Sequence, residues 1–136
     1  MSKTFVFDAN CLVSASILPN SSVRHAFDKA VNLGLIASSP VVFEEYTEVL
    51  FREKFDKYFV SMDERLFIIN LISTKLRNFS PTEIITECRD PKDNKYLELA
   101  VSANASCIIS GDKDLLILNP FRNIPILNAV NFINNF

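Results

Sequence analysis

The chain has 136 residues, of which 49% are hydrophobic and 22% charged, and its formal net charge at pH 7 is −2. A chain of this length buries roughly two thirds or more of its unfolded surface in one core, so folding needs neither a disulfide nor a structural metal. The slight acidity argues against a generally basic coat for nucleic acids, although acids neutralised by a metal would leave a more positive surface. With only 2 glycines and no low-complexity tract, we expect residues 1–136 to form one domain.

The expected cellular location follows from signals that the sequence lacks. The N-terminal residues show neither the basic leader nor the apolar stretch of a secretory signal, and no segment reaches the roughly 18 apolar residues of a membrane span. The 3 cysteines, Cys11, Cys88 and Cys107, match neither a zinc site nor a redox pair, so we expect buried thiols. These features predict a cytoplasmic protein without membrane contact.

Strand and helix patterns alternate along the whole chain, which is typical of a sheet built by strand–helix–strand crossovers. The predicted strands are short and cover residues 4–7, 35–37, 84–86, 107–110 and 126–127. One helix is predicted to open near Cys11, and others cover about 22–33, 40–53, 63–78, 91–104 and 130–134. We therefore expect an α/β domain with a central parallel sheet of about five strands and helices on both faces.

Two helix starts have support in the local sequence. Ser39 followed by Pro40, and Asp90 followed by Pro91, each place a capping side chain before a proline. Proline is favoured at the first helical position because its missing N–H has no partner there. Asp90 is therefore interpreted as an N-cap.

Two aspartates follow strands that are apolar on both faces. Asp8 ends the strand in "TFVFDANCLVSAS", and Asp112 follows "CIIS", with Gly111 allowing a sharp departure of the chain. Strands of this kind lie inside parallel sheets, whose carboxyl edge is where such folds place their sites. Both aspartates are candidate site residues, and the alternative for each is a helix cap or turn. Asp114 is interpreted mainly as a cap of the short helix that follows.

Two further acids lie on helix faces that the pattern turns toward the core. Glu45 shares its face with Val42 and Val49, whereas Glu44 lies on the solvent side. Asp93 is in line with the apolar stripe of "DPKDNKYLELAVSANA", one turn before it. The alternatives are a glutamate that reaches water from the edge of its stripe, and a first-turn aspartate favoured by the helix dipole.

These four acids could converge on one rim of the sheet. Mutual repulsion would then raise some of their pKa values unless a cation offset the charge. The simplest such cation is a hard one with oxygen ligands, Mg²⁺ or Mn²⁺. One or two such ions would orient a phosphodiester, activate a water and stabilise the leaving oxygen, so the pattern predicts metal-dependent phosphodiester hydrolysis.

Four segments in order, "FDANCLVSA", "SPVVFEEYTEVL", "CRDPKDNKYLELA" and "CIISGDKDLL", resemble the PIN-domain family, in particular a subgroup described as toxin components of toxin–antitoxin pairs. The resemblance implies a three-layer, Rossmann-like parallel sheet. It also implies a Mg²⁺- or Mn²⁺-dependent endoribonuclease acting on RNA, usually a homodimer that a cognate antitoxin inhibits.

The resemblance also assigns roles to individual residues. It implies that the metal-binding acids are Asp8, Glu45, Asp93 and Asp112. Asn10 matches the polar residue of the family's DxN or DxS opening, and Ser110 matches a hydroxyl residue shortly before the last acid. Both are expected to steady the carboxylates by hydrogen bonds.

Two other functions remain open. The chain could be a non-catalytic PIN-fold module that binds RNA or a protein. It could also be a haloacid-dehalogenase-like phosphatase, since "DANCLV" is similar to that family's nucleophile motif. That family's phosphatases have a second aspartate two residues after the nucleophile, where this chain has Asn10, and the chain has no room for a cap domain.

A basic cluster lies just beyond the helix of Glu45. Arg52, Lys54 and Lys57 stand close together in "FREKFDKY". The cluster is either an ordinary solvated helix end or an arm that contacts phosphates, with the neighbouring aromatic rings available to stack on bases or to pack on a partner.

Overall fold

The computed structural model describes residues 3–136, which form a five-stranded sheet flanked by helices. The strands are β1 (Lys3–Phe7), β2 (Gly34–Ser38), β3 (Leu76–Asn78), β4 (Cys107–Ile109) and β5 (Ile126–Leu127). The helices are α1 (Ala9–Ile17), α2 (Ser22–Leu33), α3 (Pro40–Leu50), α4 (Met62–Ser73), α5 (Asn94–Ser102), α6 (Lys113–Leu116) and α7 (Ala129–Asn135). Two 3-10 segments cover Glu53–Tyr58 and Pro91–Asp93. No helix within residues 3–136 has the length and apolar content to cross a membrane.

All neighbouring strands of the sheet are parallel, and their order is β3-β2-β1-β4-β5. β1 lies at the centre, with Phe5 opposite Ile36 of β2 and Val6 opposite Ile108 of β4. The strand order reverses between β1 and β4, and a reversal opens a crevice at the carboxyl ends of the two strands. The predicted α/β fold is confirmed, and its crevice lies where Asp8 and Asp112 follow their strands.

The core covers both faces of the central strand. Phe5, Val6 and Phe7 are all buried, so β1 is apolar on both sides. Phe5 packs edge-on against Phe132 of α7, and Phe7 packs against Phe27 of α2. The crossover from β1 to β2 and the crossover from β3 to β4 run in opposite directions across the sheet. Crossovers between parallel strands are right-handed as a rule, and this rule puts α2 and α5 on opposite faces.

The prediction for the third strand was wrong. The strand lies at 76–78, inside the range predicted as a helix over 63–78, and α4 ends at Ser73. β3 is an edge strand of three residues that, within residues 3–136, pairs only with β2, with Leu76 opposite Ile36. Its sequence, Leu-Arg-Asn, carries no alternation that would distinguish it from a helix end, so tertiary pairing decides its conformation.

Residues 84–86, where the strand was predicted, form no strand. Ile85 is buried, whereas the neighbouring Ile84 is 85% exposed. The apolar residues that suggested a strand therefore contribute one packed side chain and no strand pairing. The Ile85 N–H donates to Glu98 Oε2 of α5 at 3.0 Å rather than to a neighbouring strand. The segment is therefore a loop that is hydrogen-bonded to α5.

The proline-containing helix starts were placed correctly, but the helices differ in length. Ser39 caps α3 by accepting a hydrogen bond from the Val42 N–H at 3.3 Å. α3 ends at Leu50, before the predicted 53. Asp90 caps the 3-10 turn by accepting from the Lys92 N–H at 3.1 Å, and the α-helical part starts only at Asn94.

Candidate active site

The crevice at the carboxyl ends of β1 and β4 brings the predicted acids together. A cleft of about 140 Å³ is lined by acids from four parts of the chain, and Asn10 lies at its rim. The acids are Asp8, Glu45, Asp90, Asp93 and Asp112. Ser110, the sixth predicted residue, is fully buried at the end of β4. The four candidate metal-binding acids therefore line the same cleft.

Asp8 is both the N-cap of α1 and a wall of the cleft. Its Oδ1 accepts a hydrogen bond from the Cys11 N–H at 2.8 Å, and its Oδ2 accepts one from the Ser110 hydroxyl. Burial raises the pKa of Asp8, and these two hydrogen bonds offset part of that rise. One side chain therefore both caps α1 and lines the cleft.

Ser110 connects the two strand-end aspartates. Its hydroxyl donates to Asp8 and its oxygen accepts the backbone N–H of Asp112 at 3.0 Å. Asp112 in turn caps α6, since its Oδ1 accepts the Asp114 N–H at 2.8 Å. One buried hydroxyl thus links the side chain of Asp8, after β1, to the backbone of Asp112, after β4.

Asp93 is a buried acid of the cleft with one oxygen that is unpartnered in the part of the chain that the structure describes. It is 8% exposed, and its Oδ2 has no hydrogen-bond partner within residues 3–136. Burial, followed by its contact with the neighbouring Asp112 carboxylate, raises the pKa of Asp93 to about 7. A buried carboxylate oxygen without a donor is stable only when it is protonated or bound by a cation.

Glu45 is held by two residues of α5. Its Oε2 accepts a hydrogen bond from Lys95 Nζ at 3.0 Å, and its Oε1 accepts one from the Tyr96 hydroxyl. The Tyr96 oxygen also accepts the Ala9 N–H at 3.0 Å. Burial, and then the neighbouring Glu45, raise the pKa of Tyr96, so the phenol keeps its proton.

Sequence reasoning missed Lys95 and Tyr96. Tyr96 was interpreted only as part of the apolar stripe of its helix, although a buried tyrosine needs a partner for its hydroxyl. That requirement was the signal that could have linked it to an acid on a facing element. Asn10 was expected to steady a carboxylate, but within residues 3–136 its amide makes no hydrogen bond to the acids; it is exposed at the rim.

One group of three carboxylates that could share an ion includes two acids outside the four predicted ones, Asp90 and Asp114. One oxygen each from Asp90, Asp93 and Asp114 lies within 4.8 Å of the others. Asp114 also pairs with Arg89 at 2.9 Å. Asp93 is therefore near Asp90 and Asp114 as well as near the strand-end aspartate Asp112.

The donor set suits a hard divalent cation. Carboxylate oxygens are the ligands that Mg²⁺ and Mn²⁺ prefer, whereas softer ions select sulfur and imidazole. The buried thiol of Cys11 has a raised pKa because of its burial and of the nearby Asp8, so it remains a neutral neighbour. A bound cation would provide the partner that the buried Oδ2 of Asp93 lacks within residues 3–136.

The fold and the acid-lined crevice define an α/β protein with a candidate metal site at a sheet switch point. The family model described as the PIN domain matches residues 4–114 of the chain. The chain therefore belongs to the PIN domain family, which confirms the resemblance seen in its motifs and argues against the phosphatase alternative.

Three similar proteins extend this assignment. An uncharacterized protein of Methanocaldococcus jannaschii, MJ1680, is 32% identical over 118 residues, which cover 83% of this chain and 73% of that protein. The crystal structure of VapBC2 from Rickettsia felis, bound to a DNA fragment from their promoter, contains a chain with a TM-score of 0.64 at 14% identity, covering 92% of this chain and 98% of that one. The crystal structure of PAE2754 from Pyrobaculum aerophilum matches with a TM-score of 0.65 at 13% identity, and the match covers 98% of this chain and 97% of that one. At such identities the two structures show a shared fold.

Proposed function

We propose that this protein is an endoribonuclease that hydrolyses RNA phosphodiester bonds with Mg²⁺ or Mn²⁺, as the toxin of a type II toxin–antitoxin pair in the cytoplasm. The observation that carries the proposal is the buried, unpartnered Oδ2 of Asp93 in a cleft lined by acids. Membership of the PIN domain family, whose members are generally nucleases, supports it.

The acids would share the binding of the cation. Asp8, Glu45, Asp93 and Asp112 would hold it, with Asp90 and Asp114 close enough to Asp93 to contribute. The cation would supply a polarised phosphate and an activated water. The protein's part is to hold the acids in place, and Ser110 contributes by donating to the Asp8 carboxylate and accepting the backbone N–H of Asp112.

Basic side chains beside the acids would attract the RNA backbone. Arg52 and Lys92 line the same cleft. Arg52 pairs with Glu48 at 3.5 Å, and both side chains are largely exposed, so this weak pair can open when a phosphate arrives. Lys54 and Lys57 lie in the exposed 3-10 segment that follows. This arrangement supports phosphate contacts without a generally basic surface.

The first test is cleavage by the purified protein. Structured and single-stranded RNAs are incubated with Mg²⁺ or Mn²⁺, with Asp93→Asn as the matched control. We expect cleavage that EDTA and Asp93→Asn both abolish. Cleavage that survives the substitution would point to a contaminant or to a wrong site, and Mn²⁺ binding without cleavage of any RNA would favour a non-catalytic module.

A thermal-shift titration tests the metal site separately from turnover. We expect Mn²⁺ to raise the melting temperature of the wild-type protein and to have little effect on Asp8→Asn. Mn²⁺ at about 100 times its dissociation constant stabilises the folded state by about 2.7 kcal/mol. The absence of a response in both proteins would exclude the proposed metal site.

A cognate antitoxin and a homodimer complete the proposal. α4 presents several large apolar side chains to solvent, among them Phe67 at 64% exposure and Leu71, and such a patch is typical of a partner-binding surface. The structural neighbour from Rickettsia felis is a VapBC2 assembly on promoter DNA, which supports a protein partner for this fold.

We expect light scattering to give about twice the mass of one chain. We also expect the product of an adjacent reading frame to copurify with the protein and to suppress cleavage.

A further inference from the structure

The hydroxyl of Tyr96 lies between the start of α1 and the side chain of Glu45. Tyr96 is 1% exposed, so its ring is fixed by the core around α5. Its oxygen accepts the Ala9 N–H at 3.0 Å and its proton is donated to Glu45 Oε1. Three elements, α1, α3 and α5, therefore meet at one buried oxygen atom.

The direction of these hydrogen bonds is set by chemistry. Ala9 is the first residue of α1, and the N–H groups of a first helical turn have no acceptor within the helix. The Ala9 N–H can only donate, so it occupies a lone pair of the phenol oxygen. The proton of Tyr96 is then left for Glu45, which as a carboxylate can only accept it.

The other oxygen of Glu45 is held less firmly. It pairs with Lys95 at 3.0 Å, and both side chains are 22% exposed. A lysine on a flexible, partly solvated stem can release its partner at little cost, whereas a buried tyrosine ring cannot move away. Glu45 therefore has one fixed oxygen and one exchangeable oxygen.

We propose that Tyr96 is a positioning residue, whose hydroxyl holds the Glu45 carboxylate in the cleft so that its second oxygen can exchange Lys95 for a divalent cation. This role rests on the proposed metal site. It resembles the way outer partners orient metal ligands elsewhere, where their loss costs about 10- to 100-fold in metal affinity or activity. Nothing in the proposal requires Tyr96 to touch RNA or the cation.

Tyr46 provides a matched control. It is also fully buried and lies on α3, the helix that carries Glu45. Its hydroxyl forms a hydrogen bond with Ser16 Oγ at 2.8 Å, which is not one of the acids. Tyr46→Phe and Tyr96→Phe therefore each remove one buried hydroxyl, and only the second removes a bond to Glu45.

The experiment measures Mn²⁺ binding to both variants by calorimetry. We expect Tyr96→Phe to weaken binding about 10- to 100-fold and Tyr46→Phe to stay close to the wild type. In cleavage assays, Tyr96→Phe should need correspondingly more Mn²⁺ for half-maximal rate, with kcat largely restored at saturation. Unchanged affinity, a loss of kcat that Mn²⁺ does not restore, or an unfolded Tyr96→Phe protein would overturn the proposal.

A metal-free measurement separates this proposal from the proposed function. The ¹³C resonance of the Glu45 carboxyl, recorded in EDTA, should move in Tyr96→Phe and not in Tyr46→Phe. If the wild type binds no Mn²⁺, the nuclease proposal fails, and a shifted resonance still supports the hold of Tyr96 on Glu45. An unshifted resonance would show that the hydroxyl does not position Glu45.

Discussion

At the scale of single residues, Asp93 combines features that are unfavourable for stability without a cation. Its carboxylate is buried, one of its oxygens lacks a donor within residues 3–136, and Asp112 lies beside it. Proteins tolerate such strain where the residue has a task, which is why perturbed carboxyl groups mark candidate sites. The same arrangement predicts that removing the charge of Asp93 lowers activity without lowering the stability of the metal-free protein.

Asp93→Asn should therefore not destabilise the metal-free protein at about pH 8, because it removes the repulsion with Asp112 and a buried charge. The same change should lower cleavage at least about 100-fold, since a ligand should matter no less than the partners that orient it. Chemical denaturation in EDTA and a cleavage assay check the two halves. A large loss of metal-free stability would show that Asp93 serves the fold instead.

Lys95 competes with a cation for Glu45. Lys95→Met keeps much of the stem and removes the ammonium, so Mn²⁺ should bind more tightly. A partly exposed pair contributes on the order of 1 kcal/mol, which corresponds to about fivefold in affinity. Calorimetry on Lys95→Met and on the distant Lys3→Met as a control measures the difference. Weaker Mn²⁺ binding in Lys95→Met would contradict the competition.

At the scale of elements, one buried arginine anchors the basic segment next to the cleft. Arg65 of α4 donates to the carbonyl oxygen of Leu50 at 3.0 Å and pairs with Asp56 at 2.8 Å. Its guanidinium also stacks on the rings of Phe51 and Phe59. The end of α3 and the 3-10 segment are thereby joined to α4.

Arg65→Met should lower the free energy of unfolding by about 1–3 kcal/mol, because the Leu50 carbonyl loses its side-chain donor. It should also make residues 53–58 more accessible to proteases, since the link to Asp56 is lost. Denaturant unfolding and limited proteolysis test both effects. Asp28→Asn, which weakens the exposed pair with Arg24 and leaves the Arg24 bond to the Ala15 carbonyl in place, is the control and should change stability by less than about 1 kcal/mol.

The elements also show which patterns a sequence can reveal. β1 and β4 were predicted from continuous apolar runs, because strands buried on both faces leave that pattern. β3 left no such pattern, since its two last residues are exposed and it lies at the edge of the sheet, beside β2. An edge strand of three residues is specified by the neighbour that it pairs with, and the sequence of the strand itself does not contain that information.

At the scale of the whole molecule, the acids link stability to pH. The pKa of Asp93 is raised from 3.8 to about 7 in the folded state, so between these values the folded chain binds more protons than the unfolded one. The metal-free stability should then fall as pH rises through this window and level off above about pH 7. The raised pKa of Asp8 acts in the same direction.

Mn²⁺ should reverse this trend, because it binds the ionised acids and competes with their protons. The rise in melting temperature on adding Mn²⁺ should be larger at about pH 8 than at about pH 5. Melting curves in EDTA and in Mn²⁺ across this range test the prediction, with Asp93→Asn expected to flatten the metal-free curve. A metal-free curve that rises toward pH 8 would contradict it.

The sequence by itself determined the alternation of strands and helices, the parallel sheet, and the set of acids that its carboxyl edge collects. Periodicity and strand-end positions carry this information, because each depends on a few consecutive residues. Only the tertiary structure showed that Asp90 and Asp114 each place an oxygen within 4.8 Å of one on Asp93, and that Tyr96 and Lys95 hold Glu45. Those distances join elements that are far apart in the chain, so they are set by how helices pack on the sheet and not by local pattern.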